Sequence, residues 1–396
     1  MAGGFDAIVV GARCAGAATA MLLARAGYRV LMLERARFPR DTLSTLYIHQ
    51  PGIALLHRWG VLDAVTATGC PPIERVVHQV DGVRLAGSVP PVDGIRAAYA
   101  PRRYLLDQIL ADAAVAAGVD FRPGCTVEDV TFTDGRATGV RWRHGGRTVP
   151  ERAPLIVGAD GMRSRTAAAT GAVLLAAHPL LTCVYYTFVA GVDAGFEAYG
   201  TTGRWAGSVP TNDGLTLVAT YFPQSEFPAI RADAHRAHHD CLRTVAPGLY
   251  ERIAAGTPAD RLYGSGDQRN YLRQAAGPGW ALVGDAGHHK DSITARGITD
   301  AFHQAQALAD AVGTDLHDPT RLDAALAGYA ARRDDLVRDG YRDALATAAL
   351  RPRRRLRLLR AVAADPALTE RFLATMAGIR PSGDLATPDL TAAVRH

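Results

Sequence analysis

The stretch FDAIVVGARCAGAATAMLLARAGYRVLMLE, residues 5–34, decides the fold. A short apolar strand, FDAIVV, enters a glycine-bearing turn, an alanine- and leucine-rich helix closed by Gly27 follows, and YRVLMLE returns as a second strand. Gly11 and Gly16 stand at the spacing of a dinucleotide-binding turn, where backbone N–H groups and a helix N-terminus hold a pyrophosphate. Arg13 occupies the place of the usual middle glycine. A side chain is tolerable there if it points away from the phosphates, and a nearby guanidinium favours the anion. Glu34 ends the second strand, where a carboxylate can accept hydrogen bonds from an adenosine ribose.

Outward from this βαβ unit the chain keeps an α/β pattern. RRYLLDQILADAAVAAG (102–118) repeats apolar positions at Leu106, Ile109, Leu110 and Ala113 and predicts a helix. Residues 119–158 alternate short apolar runs with the turn signals Asp134-Gly135 and Gly145-Gly146, a β-meander returning to the strand LIVGAD. Residues 173–275 hold most of the aromatic side chains, in strand-like runs such as LLTCVYYTFVAG and GLTLVATYFP, and predict a separate antiparallel sheet. After WALVGDAG (280–287), another apolar strand, the pattern is mostly helical.

Composition fits a folded enzyme: 396 residues, 48% hydrophobic and 21% charged, outside the disordered class. The net charge of +5 is local, because RPRRRLRLLR (351–360) holds six arginines; Leu356, Leu359 and Ala363 follow helical spacing there, so the run reads as an amphipathic helix with a solvated basic face. Five scattered cysteines without a CxxC point to reduced thiols and a cytoplasmic location. No signal-peptide pattern and no apolar run near twenty residues is found, so no membrane span is expected; no nucleic-acid partner is expected either. The chain has one lysine, Lys290, against 43 arginines.

Three stretches in fixed order carry the chemistry: the N-terminal unit; GADGMRSR (158–165), with Asp160, Gly161 and Ser164; and GDAGHHKDSITARGITDAFHQAQALADAV (284–312). On these motifs the chain resembles the FAD-dependent monooxygenase superfamily of the p-hydroxybenzoate hydroxylase fold, which also contains flavin-dependent halogenases and geranylgeranyl reductases. The resemblance implies a Rossmann-like FAD-binding domain (1–75, 96–172 and 276–330), an inserted antiparallel-sheet substrate domain (76–95 and 173–275) and a C-terminal helical segment (331–396). It implies FAD contacts from Gly11, Ala12, Arg13, Cys14, Ala15 and Gly16, from Glu34 and Arg35, and from Arg103, Asp160 and Asp285. Gly297 and Ile298 open a helix suited to placing N–H groups at the flavin carbonyl side.

Two departures from the family pattern stand out. The Asp-Gly motif usually ends with an arginine three positions after its serine, where this chain has Ala167, and the Gly-Asp motif usually carries a proline where this chain has Ser292. The first makes nicotinamide handling the less secure part of the resemblance.

The resemblance implies a monooxygenase using NADPH or NADH and O2, through a flavin C4a-hydroperoxide, to hydroxylate or epoxidise an aromatic or unsaturated small molecule in secondary metabolism, with a partner reductase as another electron source. Lys290, Tyr47 and His49 are the catalytic candidates, and His288 and His289 shape the loop or relay protons. Trp205 and Asn212, in GRWAGSVPTNDGLT, are candidates for the substrate pocket, although PTNDG also reads as a hairpin turn. Alternatives are double-bond reduction of the geranylgeranyl reductase type, a non-catalytic flavin-binding protein and a halogenase. The halogenase reading is weakened by Gly207, which replaces the second tryptophan of Trp-x-Trp-x-Ile-Pro, and by the lack of any lysine before 290. His235, His238 and His239 have helical spacing, but the proposed chemistry needs no metal, and a polar helix face explains them.

Overall fold

The computed structural model describes residues 4–313 and 316–385; residues 1–3 and 386–396 of the expected first and last segments lie outside the described residues. Strands 276–277, 280–282, 155–158, 7–10, 30–34 and 120–123 form one sheet in that order, parallel apart from the first pair. Alternation divides its two faces. Ala7, Val9, Met32 and Val157 pack under the helices Cys14–Arg25, Arg103–Ala116 and Gly297–Val312. Ile8, Leu31, Leu33 and Ile156 face a three-stranded meander, 126–133, 136–144 and 147–152, whose hairpins turn at Asp134-Gly135 and Gly145-Gly146 as expected, all at positive φ.

The aromatic-rich region forms an eight-stranded sheet into which strands 75–80 and 83–88 are built. It is mixed rather than purely antiparallel, because 196–201 runs parallel to 75–80. Its inner face carries Tyr186, Phe188, Phe196 and Tyr221; its outer face is covered by helices Ala234–Val245 and Pro247–Ala254. A small sheet of strands 174–178, 270–273 and 288–289 joins this region to the loop after the first sheet.

A 30-residue helix, Pro319–Ala348, crosses the back of the molecule, followed by Leu356–Ala363 and Pro366–Met376. In the arginine-rich helix Leu356 and Leu359 pack against Val80 and Leu85 as expected, and Val362 rather than Ala363 completes the inward face.

Candidate functional site

The turn after the first strand needs glycine at two positions and not at the third. Gly11 has φ +101°, and a Cβ there would lie 2.5 Å from the Ala159 carbonyl oxygen; a Cβ on Gly16 would lie 1.8 Å from the Gly11 oxygen. Arg13 sits at φ −83°, ψ −169°, extended backbone open to any L-residue. Its guanidinium reaches Asp107 at 2.6 Å, and Arg103 pairs with the same carboxylate at 2.9 Å. Burial pushes the Cys14 thiol up to about 12, so it stays protonated and donates to Asp107 as well. Buried Asp107 thus holds two arginines beside the turn, a local charge of +1.

This turn opens on a cavity of about 760 Å³. Every residue expected to touch FAD lines it except Ala12 and Gly16. Ala12 contributes its N–H to Glu34, whose other carboxylate oxygen accepts from Ala36, at 2.9 and 2.8 Å. Asp160 lines the cavity with its carboxylate turned back onto Ser164, Arg165 and Thr166 at the start of a short helix. Asp285 and Gly297 are exposed to the cavity. The helices Cys14–Arg25 and Gly297–Val312 both begin at it, and neither has a capping side chain. Their positive ends are left for a ligand. A pyrophosphate cradle closed to any Cβ, paired arginines, an open carboxylate and two uncapped helix ends fit FAD laid along the cavity.

Lys290 is buried at the wall and forms an ion pair with Asp300 in the first turn of the second helix. Burial raises the Asp300 carboxyl, but Lys290 and Arg296 more than reverse this and hold it at about 2. His288 and His289 also line the cavity, and burial beside Lys290 keeps His288 far below its usual range. Ser292, in the place of the family's proline, donates its N–H and hydroxyl to Gln268, so hydrogen bonds restrain the loop where a ring would have done so. Ala167, in the place of the family's arginine, is buried against the meander.

A second cavity of about 540 Å³ shares Thr42, Leu43 and Ser44 with the first and is walled by Tyr186, Phe188 and Tyr263. Tyr186 and Tyr263 stack at 5.5 Å, and Arg102 lies 4.1 Å over Phe188.

Four expectations are corrected. Tyr47 and His49 line neither cavity: Tyr47 stacks on Phe196 at 4.1 Å, and burial keeps His49 neutral, its value lowered to about 3, with its ring nitrogen 3.3 Å from the Thr294 carbonyl. Trp205 lies edge-on to Tyr221 with its ring over Gly207, where a Cβ would meet it at 2.5 Å; the missing second tryptophan makes room for the first. Asn212 is fully buried, accepting from the Arg102 N–H and donating to Thr68, a clasp between segments rather than a pocket residue. His238 of the histidine-rich helix turns inward onto the Thr220 hydroxyl at 2.8 Å.

Sequence reasoning missed Asp107, Asp300 and Asp291. Asp107 and Asp300 carried a local signal, their i+4 spacing from Arg103 and Arg296 at predicted helices, whereas Asp291 carried none.

Comparisons with known proteins agree with this geometry. The chain is 27% identical to tryptophan 2-halogenase of Chondromyces crocatus over 77% of its own length and 60% of the relative's. It is 26% identical to 6-methylpretetramide 4-monooxygenase of Streptomyces rimosus, over 78% and 57%. The chain thus spans about three fifths of the length of these relatives. It is 24% identical to digeranylgeranylglycerophospholipid reductase of Methanosarcina mazei, over 78% and 74%. Among solved structures, the flavin-dependent brominase Bmp2 superposes with a TM-score of 0.83 at 16% identity, over 99% of this chain and 98% of that one. Pseudomonas aeruginosa PqsL in complex with 2-aminobenzoylacetate superposes at 0.74 and 24%, over 96% and 100%. Residues 5–339 match the FAD binding domain family, and the chain belongs to it.

Proposed function

We propose that this protein is an FAD-dependent monooxygenase acting on an aromatic or unsaturated small molecule. One observation carries the reading beyond cofactor binding: the cofactor cavity meets an aromatic-walled cavity across Thr42, Leu43 and Ser44, so a planar substrate can lie next to the flavin. In this reading residues 76–95 and 173–275 shape the substrate and residues 1–75, 96–172 and 276–330 hold the cofactor. Five buried, unpaired cysteines suit a reducing compartment such as the cytoplasm.

Bound FAD supplies a two-electron route from NADPH or NADH, or from a partner reductase, to O2. The chain's own residues bind and orient it. Arg13 and Arg103, fixed by Asp107, offset part of the pyrophosphate charge, and the first turn of Cys14–Arg25 offers N–H groups to it. Glu34 and Arg35 hold the adenosine end, and Asp285 the ribityl chain. The N-terminus of Gly297–Val312 favours negative charge on the flavin pyrimidine. The aromatic walls keep water from the space between cofactor and substrate.

The test is the visible spectrum of the purified protein after FAD reconstitution, with NADPH and NADH added in air and under nitrogen. Flavin bleached under nitrogen and restored by oxygen is expected. Failure to take up FAD overturns the cofactor reading, whereas product formed from an unsaturated substrate under nitrogen overturns the monooxygenase reading in favour of double-bond reduction.

A further inference from the structure

A chain of polar side chains leads from the cofactor cavity into the sheet, and nothing in the cofactor reading uses it. Asp291 lines the cavity and is buried. Its Oδ2 accepts from Thr182 Oγ1 at 2.7 Å, and its Oδ1 from the Ile293 N–H at 3.2 Å. Thr182 Oγ1 accepts from Gln268 Nε2 at 2.8 Å, Gln268 Oε1 accepts from Ser292 Oγ at 2.5 Å, and Ser292 Oγ lies 2.8 Å from the Tyr221 hydroxyl. Ser292 has one hydroxyl proton and gives it to Gln268, so Tyr221 is the donor in the last pair. Every donor therefore points the same way, from Tyr221 through Ser292, Gln268 and Thr182 to Asp291.

That polarity suits an ionised Asp291. When Asp291 gains a proton it keeps acceptor lone pairs, but a neutral carboxyl accepts the Thr182 and Ile293 hydrogen bonds more weakly than a carboxylate does. The cost of ionisation is burial, which pushes the Asp291 carboxyl up to about 6, against the opposing hydrogen bonds. Other ionisable groups face it from every side: His289 and Lys290 from its own loop, Cys183 and Tyr221 from the sheet, and, against Lys290, Arg296 and Asp300.

We propose that Asp291 is the residue that holds and releases a proton at the cofactor cavity, with Thr182, Gln268 and Ser292 as positioning residues that connect it to Tyr221. The inference rests on the cavity being an FAD site. When reduced cofactor meets O2 without substrate, the anionic reduced flavin gives up two electrons and one proton, Asp291 gives the second proton, hydrogen peroxide leaves, and solvent reprotonates Asp291.

The experiment needs neither substrate nor nicotinamide. FAD-loaded protein is reduced with dithionite under nitrogen and mixed with air-saturated buffer between pH 5 and pH 8, and the return of flavin absorbance is timed. The wild-type rate should fall about tenfold across a one-proton transition near pH 6. Asp291→Asn should be slow and flat with pH. Thr182→Val, which removes a donor to the carboxylate, should keep the transition and move it to higher pH, a shift that a purely structural role would not produce. His289→Gln, which removes a group whose charge lowers the carboxyl, should keep the transition and move it slightly to higher pH. A wild-type profile flat with pH, a transition surviving in Asp291→Asn, or one abolished by His289→Gln overturns the inference alone. Failure of the wild type to take up FAD overturns the cofactor reading, and the inference with it.

Discussion

At Arg13 the backbone is ordinary, and at Gly16 it is not, so the two positions of one turn should respond oppositely to substitution. Arg13→Gly restores the usual fingerprint and should still fold, losing about 0.5–1 kcal/mol through backbone entropy and weakening FAD about tenfold through the lost charge. Gly16→Ala puts a methyl 1.8 Å from a carbonyl oxygen and should abolish FAD uptake. Flavin fluorescence titration distinguishes them, and an Arg13→Gly protein that binds FAD more tightly would show that this arginine does not serve the phosphates. Asp107→Asn tests the same place from beneath. It leaves two guanidinium groups without their buried counter-charge, and an unfolding loss of about 3 kcal/mol is expected, with Arg103 no longer fixed at the cavity. Chemical denaturation measures it.

Among the side chains that tie the elements behind the cavity together, one bridges three of them. Arg296, just before the helix Gly297–Val312, lies between Gly340 of the long helix and Gly378 after the last one. A Cβ on Gly378 would sit 2.3 Å from its guanidinium and would be forced to φ +75°. Gly378→Ala is therefore expected to destabilise by about 1–3 kcal/mol and to lower FAD affinity, although residue 378 is far along the chain from every cofactor motif; unchanged thermal unfolding and affinity would mean that Arg296 swings clear at no cost. The βαβ unit, the meander and the two helix starts were legible because their signals are local: glycines where φ is positive, apolar spacing, and an N-terminus marked by composition. The clasp of Asn212 on Thr68 and the inward turn of His49 were not, because each is set by a partner more than 140 residues away. The same limit hid the second cavity, whose third aromatic wall, Tyr263, comes from a strand of three residues.

Over the whole molecule, buried neutral histidines set the response to acid. Burial lowers His49 and His238 to about 3 and His78 to about 4, while the unfolded chain takes up protons near pH 6.5. The stability these groups provide is complete above that pH and falls as pH drops, by about 1.4 kcal/mol per pH unit for each, until the folded values are reached. Asp300, held at about 2, adds a loss below pH 4. Asp291 acts in the opposite sense, since its raised value favours the folded state below its unfolded value and loses that effect as pH rises through 6. His288 and His303 are lowered as well, so five histidines outweigh one carboxyl and the unfolding temperature should fall steadily from pH 7 to pH 5 in differential scanning fluorimetry. His238→Asn should flatten the slope, and an equal slope in that variant would mean that His238 is already charged in the fold. The buried Lys290–Asp300 pair has another consequence, for the chemistry of labelling. The chain's only lysine is held in a buried salt bridge at the cavity wall, so an acylating reagent applied briefly to the folded protein should leave Lys290 unmodified. Acylation at Lys290, read by peptide mass spectrometry, then becomes a clock for opening of the cavity, and FAD should slow it.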